Sequence, residues 1–433
     1  YDADASDVMY AYGKETTGSK VRILSVASGG AANPGDFDTL FTSADATNLA
    51  TIKSPLKFFR SAEASNANSL YYIKGASTSW YLMRYNIGAA AEQRWTGSAW
   101  SAAGSPDSNT QLTGLTGTSD KITMRVIFGS LYICHGQYIA KVDSSGTVTL
   151  LAFTMPKEWQ AIDIAPVSDV SVILGRHISL TSNFSKLFWW DLVAATQFDD
   201  STDIHMGGPQ WMVNHGETIK IFCAINGKAK FFQLTGAFPG AVPVPIPNIE
   251  LSNISVETSA QNISDSKMVA VKERILYFGL WKTDKSGVYA LGQLDYQLPQ
   301  ALILSKRFHT TSYASHTPYA LHIQGPNFYA AFDDNGTARA MRCESNNSPT
   351  RSSNAVLETL WEDGGKEFND KDLLNIFTAS YPLAASTSLA LSVDSNFSGT
   401  YAAVYQEDGS TTHAGTETVV SKKAYQTLVR LVA

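Results

Sequence analysis

Apolar and polar residues alternate with period two along most of the 433-residue chain, or gather in short apolar runs bounded by turn residues. Few windows place apolar residues at the i, i+3, i+4 and i+7 positions of a helix face, so the pattern predicts strands. The strands come as a recurring unit: an apolar strand, a tight turn, then an aromatic-rich strand. Copies run over 69–75 (SLYYIKG) with 80–85 (WYLMRY), and 125–136 (RVIFGSLYICHG) with 138–143 (YIAKVD). A third runs over 170–175 (VSVILG), 177–180 (HISL) and 187–190 (LFWW), and a fourth over 218–223 (TIKIFC) and 230–234 (KFFQL) around Asn226-Gly227. The fifth joins 268–271 (MVAV), 275–278 (ILYF) and 287–290 (GVYA); the sixth joins 320–323 (ALHI) and 328–332 (FYAAF). Asn-Gly, Asp-Ser-Ser-Gly and Gly-Pro-Asn are turns of hairpin chemistry.

The units recur every 40 to 60 residues or so, near the roughly 40–50 of a propeller blade. One hairpin cannot hide its apolar face alone, whereas radial stacking buries both faces and protects the edges. The fold expected is therefore all-β: an irregular β-propeller-like ring of short antiparallel sheets, with five to seven blades, followed by a β-sandwich module. A large sandwich, or two stacked ones, is the competing arrangement. The chain divides at 1–60, an N-terminal extension with the first strands; 61–345, the propeller-like domain; and 346–433, the sandwich. The last boundary follows from the polar link 346–353 (NNSPTRSS) and a change of texture after it. Strands are expected there at 356–361, 373–379, 388–393 and 401–405, with a final one from Ala424. Alternating prolines in 238–247 (FPGAVPVPIP) withhold ladder donors and predict a stiff loop between blades or an arm on a neighbour.

Charged residues are 17% of the chain, below the roughly 25% of ordinary soluble domains, which leaves more surface for subunit contacts. The net charge of −6 offers no overall basic balance for gripping a phosphate backbone; a mildly acidic wall lets DNA slide past. Cys134, Cys223 and Cys343 are odd in number and far apart, which predicts buried reduced thiols and folding in the cytosol. No apolar run approaches the roughly 18–20 residues that cross a bilayer. The chain starts at Tyr1 and stops at Ala433 in a strand-like stretch, so further residues at either end are expected.

Candidate chemistry is sparse. The nucleophile-elbow, zinc-protease, Walker and dinucleotide-binding motifs are all missing from the sequence. Asp199, Asp200, Asp203 and His205 form the densest acidic cluster, read as a solvated loop before a cation site. Asp394 opens half of a calcium loop, but Tyr405 stands where the bidentate acid belongs. Trp95 and Trp100 bracket a turn, either packing on one another or stacking on a sugar. His309, His316 and His322 fall within fourteen residues, and His316 and His322, among Tyr313, Tyr319 and strand residues, read as satisfied polar or core positions. No catalytic, cofactor-binding or metal-ligating residue is singled out, and no cofactor is expected.

Two stretches resemble structural proteins of tailed-bacteriophage tails, the propeller-bearing nozzle or packaged-DNA-stabilisation family. In 186–239, FWWD at 188–191 and an Asp-rich loop precede NHGETIKIF at 214–222 and KFFQLTG at 230–236; in 355–401, LETLWEDGG at 357–365 precedes a long strand. The resemblance implies a virion tail protein without catalytic residues, folded in the host cytoplasm. It implies a ring of identical subunits, six favoured, around a DNA-conducting channel. Adjacent tail or adaptor proteins and passive contact with DNA follow as partners, with no membrane. Two other functions compete: a receptor- or glycan-binding propeller, and a glycan hydrolase. The hydrolase requires convergence of carboxylates drawn from Asp191, Asp199, Asp200, Asp203, Asp295, Asp333 and Asp334.

Overall fold

The structure is a computed structural model. It describes residues 2–3, 9–14, 21–26, 38–42, 51–52, 54–62, 68–76, 79–102, 112, 121–179, 182–215, 218–225, 228–236, 240–251, 266–272, 275–280, 287–293, 302–306, 316–324, 327–334, 337–344, 356–358, 371–378, 388–395, 402–408, 416–424 and 427–432. The chain forms two compact units, Tyr1–Asn347 and Ser348–Ala433.

Seven antiparallel sheets succeed one another in the first unit among the described residues. The first holds β1 (Asp2–Ala3), β2 (Met9–Lys14), β3 (Val21–Val26) and β4 (Asp38–Thr42). The second holds β5 (Thr51–Ile52), β6 (Lys57–Arg60), β7 (Asn68–Ala76), β8 (Ser79–Asn86), β9 (Ala91–Trp95) and β10 (Trp100–Ala102). The third holds β11 (Ile122–Ile127), β12 (Ser130–His135), β13 (Tyr138–Val142) and β14 (Val148–Thr154). The fourth holds β15 (Trp159–Val167), β16 (Val170–His177), β17 (Ser185–Trp190) and β18 (Asp200–Ile204). The fifth holds β19 (Pro209–His215), β20 (Thr218–Ile225), β21 (Lys228–Thr235) and β22 (Val242–Leu251). After one turn of 3-10 helix, Ser266–Met268, come β23 (Val269–Lys272), β24 (Ile275–Leu280), β25 (Gly287–Gln293) and β26 (Leu302–Lys306). The seventh sheet holds β27 (His316–Gln324), β28 (Asn327–Asp334) and β29 (Thr337–Glu344). Five of the seven are plain four-stranded meanders, in which each strand pairs with the next in the chain.

Successive sheets meet through their first strands. β11 touches β6 on one side and β15 on the other, β15 touches β19, and further round β27 packs on β23, β24 and β25. The apolar clusters accordingly lie between sheets. Ile127, Tyr132 and Phe153 pack with Ile164, Phe188 and Trp190, while Val172, Leu187 and Trp189 pack with Met212, Ile221 and Phe232. The next gap is filled by Trp211, Phe222 and Phe231 against Leu276 and Phe278. The unbroken run 187–190 follows from this: alternate residues face opposite neighbours and both faces are buried, so no polar position remains. Sheets stacked face to face about a shared axis of first strands are a β-propeller, not the stacked sandwiches that compete with it on sequence.

Three local expectations need correcting. The proline-rich stretch is not a loop: Val242 to Leu251 form β22, the last strand of its sheet, paired with β21 from Thr235↔Val242 through Phe232↔Pro245. An edge strand needs donors on one side alone. Pro243 and Pro245 lie two residues apart in the regular part of the pairing, so their missing donors fall on one side of it, and Pro247 lies in the register shift beyond. The strand expected at 177–180 is not separate where it is described: His177 closes β16 and a bend follows at 178–179, while Leu180 lies outside the described residues. Asp200 to Ile204 are not loop but β18, paired with β17.

The second unit holds β30 (Val356–Glu358), β31 (Lys371–Thr378), β32 (Ser388–Ser395), β33 (Ala402–Asp408), β34 (Thr416–Ala424) and β35 (Thr427–Val432). One sheet has the order β30-β35-β32-β33, the other pairs β31 with β34, and β34 touches β32 and β33 across the gap. That is a small two-layer sandwich, with Leu391 and Val393 buried. Ala424 ends β34, a strand absent from the sequence expectation, and the final strand starts at Thr427. Among the described residues no helix is long and apolar enough to cross a membrane.

Candidate functional site at the propeller axis

The first strands bring a small set of polar side chains to the axis. Arg125 on β11 grips Asp163 on β15 through two parallel hydrogen bonds, Nε to Oδ1 at 3.0 Å and Nη2 to Oδ2 at 2.8 Å. The same Nη2 donates to the Met212 carbonyl on β19 at 3.1 Å. Lys121, just before β11, donates from Nζ to Gln210 Oε1 on β19 at 2.5 Å, and Gln210 Nε2 donates to the Gly208 carbonyl. Lys121, Asp163 and Gln210 are buried, while Arg125 keeps a quarter of its side chain in solvent. Two side chains of the third sheet therefore reach past the fourth to the fifth.

Local sequence arranges this. The register shifts between Ala161 and Asp163 in β15 and between Pro209 and Trp211 in β19, placing an extra residue, Ile162 or Gln210, at each point. A bulge turns a side chain out of its regular alternation, here toward the axis.

The chemistry open to Asp163 is narrow. Oδ1 accepts from Arg125 Nε and the Ile164 amide, and Oδ2 accepts from Arg125 Nη2 and the Met212 amide. Four donors occupy the carboxylate's four lone-pair sites, leaving none for a substrate proton. It is also the sole carboxylate on the described first strands of the second to seventh sheets, which carry Lys57, Arg60, Arg125 and Lys272. The acidic wall expected from net charge does not extend to these described first strands.

Among the described side chains, the candidates Asp191, Asp199, Asp200 and Asp203 do not converge. Asp191 caps its own turn, its Oδ1 accepting from the Val193 and Ala194 amides; Asp199 and Asp203 are exposed, and Asp203 pairs with Lys186 at 3.2 Å. His205 is exposed, its ring edge-on to Phe184. Among the described residues no three His, Cys, Asp or Glu side chains are grouped to hold a metal ion. Asp333 and Asp334 end β28, while Asp295 and His309 lie outside the described residues. His316 and His322 lie on β27, and Asp394 lies in β32, with Asn396 to Tyr401 outside the description.

Trp95 and Trp100 face each other across the β9–β10 turn, centroids 5.4 Å apart and edge to face. Trp100 also carries the Arg84 guanidinium 4.4 Å above its ring and donates from Nε1 to the Gly146 carbonyl. Cys134 and Cys223 are free and fully buried, and burial pushes both thiols up, Cys223 to about 12. Cys343 lies on β29.

Two buried polar groups escaped the sequence reading. Tyr72 Oη donates to Glu92 at 2.5 Å beside Lys74 Nζ at 3.1 Å, and burial, then the Glu92 charge, hold the phenol well above its usual range. Lys220 donates to Thr218 Oγ1 and Gln233 Oε1, both uncharged, and burial lowers its amine to about 8. The signal for Lys74, Lys220, Arg125 and Asp163 is a lone charge inside an apolar strand.

No protein-family model matches the chain. No curated protein matches it either. Distant structural likenesses exist. A Bacteroides fragilis protein described as a candidate 6-phosphogluconolactonase aligns at 11% identity and TM-score 0.46, covering 79% of this chain and 96% of its own. The β-propeller domain of the Trilobed protease of Pyrococcus furiosus, with open velcro topology, aligns at 8% and 0.40, covering 79% and 95%. An exo-β-1,3-galactanase of Phanerochaete chrysosporium aligns at 10% and 0.34, covering 99% and 90%. At such scores they carry no argument about activity.

Proposed function

We propose that this chain is a non-catalytic propeller that works as a structural part of an assembly, and that the assembly is a bacteriophage tail, as a nozzle or hub ring. The observation that carries the reading is the use of the axial charges. Arg125, Asp163, Lys121 and Gln210 are spent on one another and on backbone groups of neighbouring blades, where a catalytic site would keep them open toward a substrate. The fixed Trp100 ring weighs in the same direction against a sugar-stacking platform. A DNA path, in this reading, runs between copies arranged in a ring and not through the propeller of one copy.

Negative-stain electron microscopy of the purified full chain, at rising concentration and after mixing with tail adaptor proteins, tests it. Rings or particle-bound copies are expected. A chain that stays monomeric at high concentration and turns over glycosides would replace the structural reading with the hydrolase one.

A further inference from the structure

The register of the axial contacts gives the propeller two distinguishable faces. Lys121 meets Gln210 near the start of β11 and β19, and Arg125 meets Asp163 and Met212 midway along, so the first strands of the third to fifth sheets run the same way. Their hairpin turns then sort by face. Turns 128–129, 143–147, 168–169 and 191–199 lie on the face where first strands end; 155–158, 178–179, 182–184 and 205–208 lie on the opposite one.

The two faces differ in charge. The first carries Asp143, Asp169, Asp191 and Asp199 in its described turns and no Lys, Arg or His. The second carries exposed Lys157, Glu158 and His205, with exposed Lys228 opening β21. Asp143 stays ionised: hydrogen bonds from Ser145 and Thr147 outweigh partial burial and pull its carboxyl below the usual value.

They differ in apolar exposure and backbone too. Of the ten exposed large apolar side chains among the described residues, Val126, Phe128, Val193, Phe198 and Val242 sit at the first face, with Val193 83% exposed. Ile178 and Phe184 sit at the second. Three of the four described non-glycine residues with positive φ, Phe128, Ser168 and Leu192, fall in these first-face turns; Ala90 lies in the β8–β9 turn of the second sheet. A Phe at φ 46 in a two-residue turn, 55% exposed, occupies a place where Asn or Gly costs less, and packing within the chain does not offset that cost. Residues held in such conformations concentrate where a surface is used.

We propose that the first face of one copy docks on the second face of another, head to tail, its apolar turn residues against Ile178 and Phe184 and its carboxylates against Lys157 and Lys228. The contact is heterologous, so repeated copies close into a ring or extend as a filament according to the rotation between them. Complementary charge sets orientation and encounter rate, and apolar contact holds the pair. This rests on the reading of the chain as part of an assembly.

Charge reversal on the full chain tests it. Asp169 and Asp199 are exposed, so Asp169→Lys with Asp199→Lys is expected to leave the fold intact; Lys157→Glu with Lys228→Glu reverses the other face. Sedimentation at low salt should show the unaltered chain associating and each double variant associating at least about tenfold more weakly. An equimolar mixture of the two variants should associate again, because each then meets an opposite face. Val193→Ser should weaken association without changing its salt dependence. Variants that associate like the unaltered chain would overturn the head-to-tail contact and leave the assembly reading standing. An unaltered chain that is monomeric at its solubility limit would remove both.

Discussion

At the residue scale, the buried charges divide by the company they keep. Asp163 is fully buried, and each of its donors is itself fixed by a strand. Asp163→Ala would strand Arg125 at the axis and leave the Met212 amide without its acceptor, at a cost of about 3 kcal/mol, the low end for a broken buried pair because Arg125 is partly solvated. Asp163→Asn is expected to recover little, since one amide face would turn N–H groups toward existing donors; urea denaturation of both variants measures this. Lys220 behaves oppositely. Its amine titrates near 8 when folded and near its ordinary 10.5 when unfolded. Between those values the unfolded chain holds a proton that the folded chain has lost, so stability rises with pH, by at most about 1.4 kcal/mol per pH unit. Lys220→Met should flatten the stability profile between pH 8 and 10.5, and an unchanged slope would assign it to other groups.

At the element scale, close approach is as informative as charge. Gly208 leads into β19 with φ +64, and a Cβ there would lie 2.0 Å from the Ala224 carbonyl oxygen. Gly208→Ala must therefore push β19 off β20, and a loss of more than about 2 kcal/mol, read by thermal melting, is expected. Hairpins were the legible part of this fold: 69–85, 125–143 and 218–234 read correctly because alternation and turn chemistry are local. The proline-rich strand was misread because whether a strand lies at an edge depends on the order of strands in the sheet. The axial site was illegible for the same kind of reason. Arg125 and Asp163 are 38 residues apart, and Lys121 and Gln210 are 89 apart, and what aims Asp163 is a bulge at Ile162 that no composition signal marks. The edge prolines make a prediction of their own. Pro243→Val with Pro245→Val restores donors along the free edge of β22 and should raise aggregation measured by light scattering, with monomer stability little changed.

At the scale of the whole molecule, the proposed place beside a DNA path makes a prediction from charge alone. A protein that held duplex DNA by itself would need a cationic surface large enough to displace counterions from several phosphates. Here the described first-face turns carry four carboxylates without a cation, the chain totals −6, and Lys121 and Arg125 are engaged by Gln210 and Asp163. The isolated chain should therefore leave duplex DNA unretarded in a gel-shift experiment at physiological salt, with only weak retention as salt is lowered. Assembled rings should behave no differently toward added DNA, since a wall that lets a polyanion slide must not hold it. Retention that survives physiological salt, with a steep dependence on salt concentration, would mean that a cationic surface forms when copies meet. In that case the molecule grips DNA, and the proposed passive conduit gives way to a clamp.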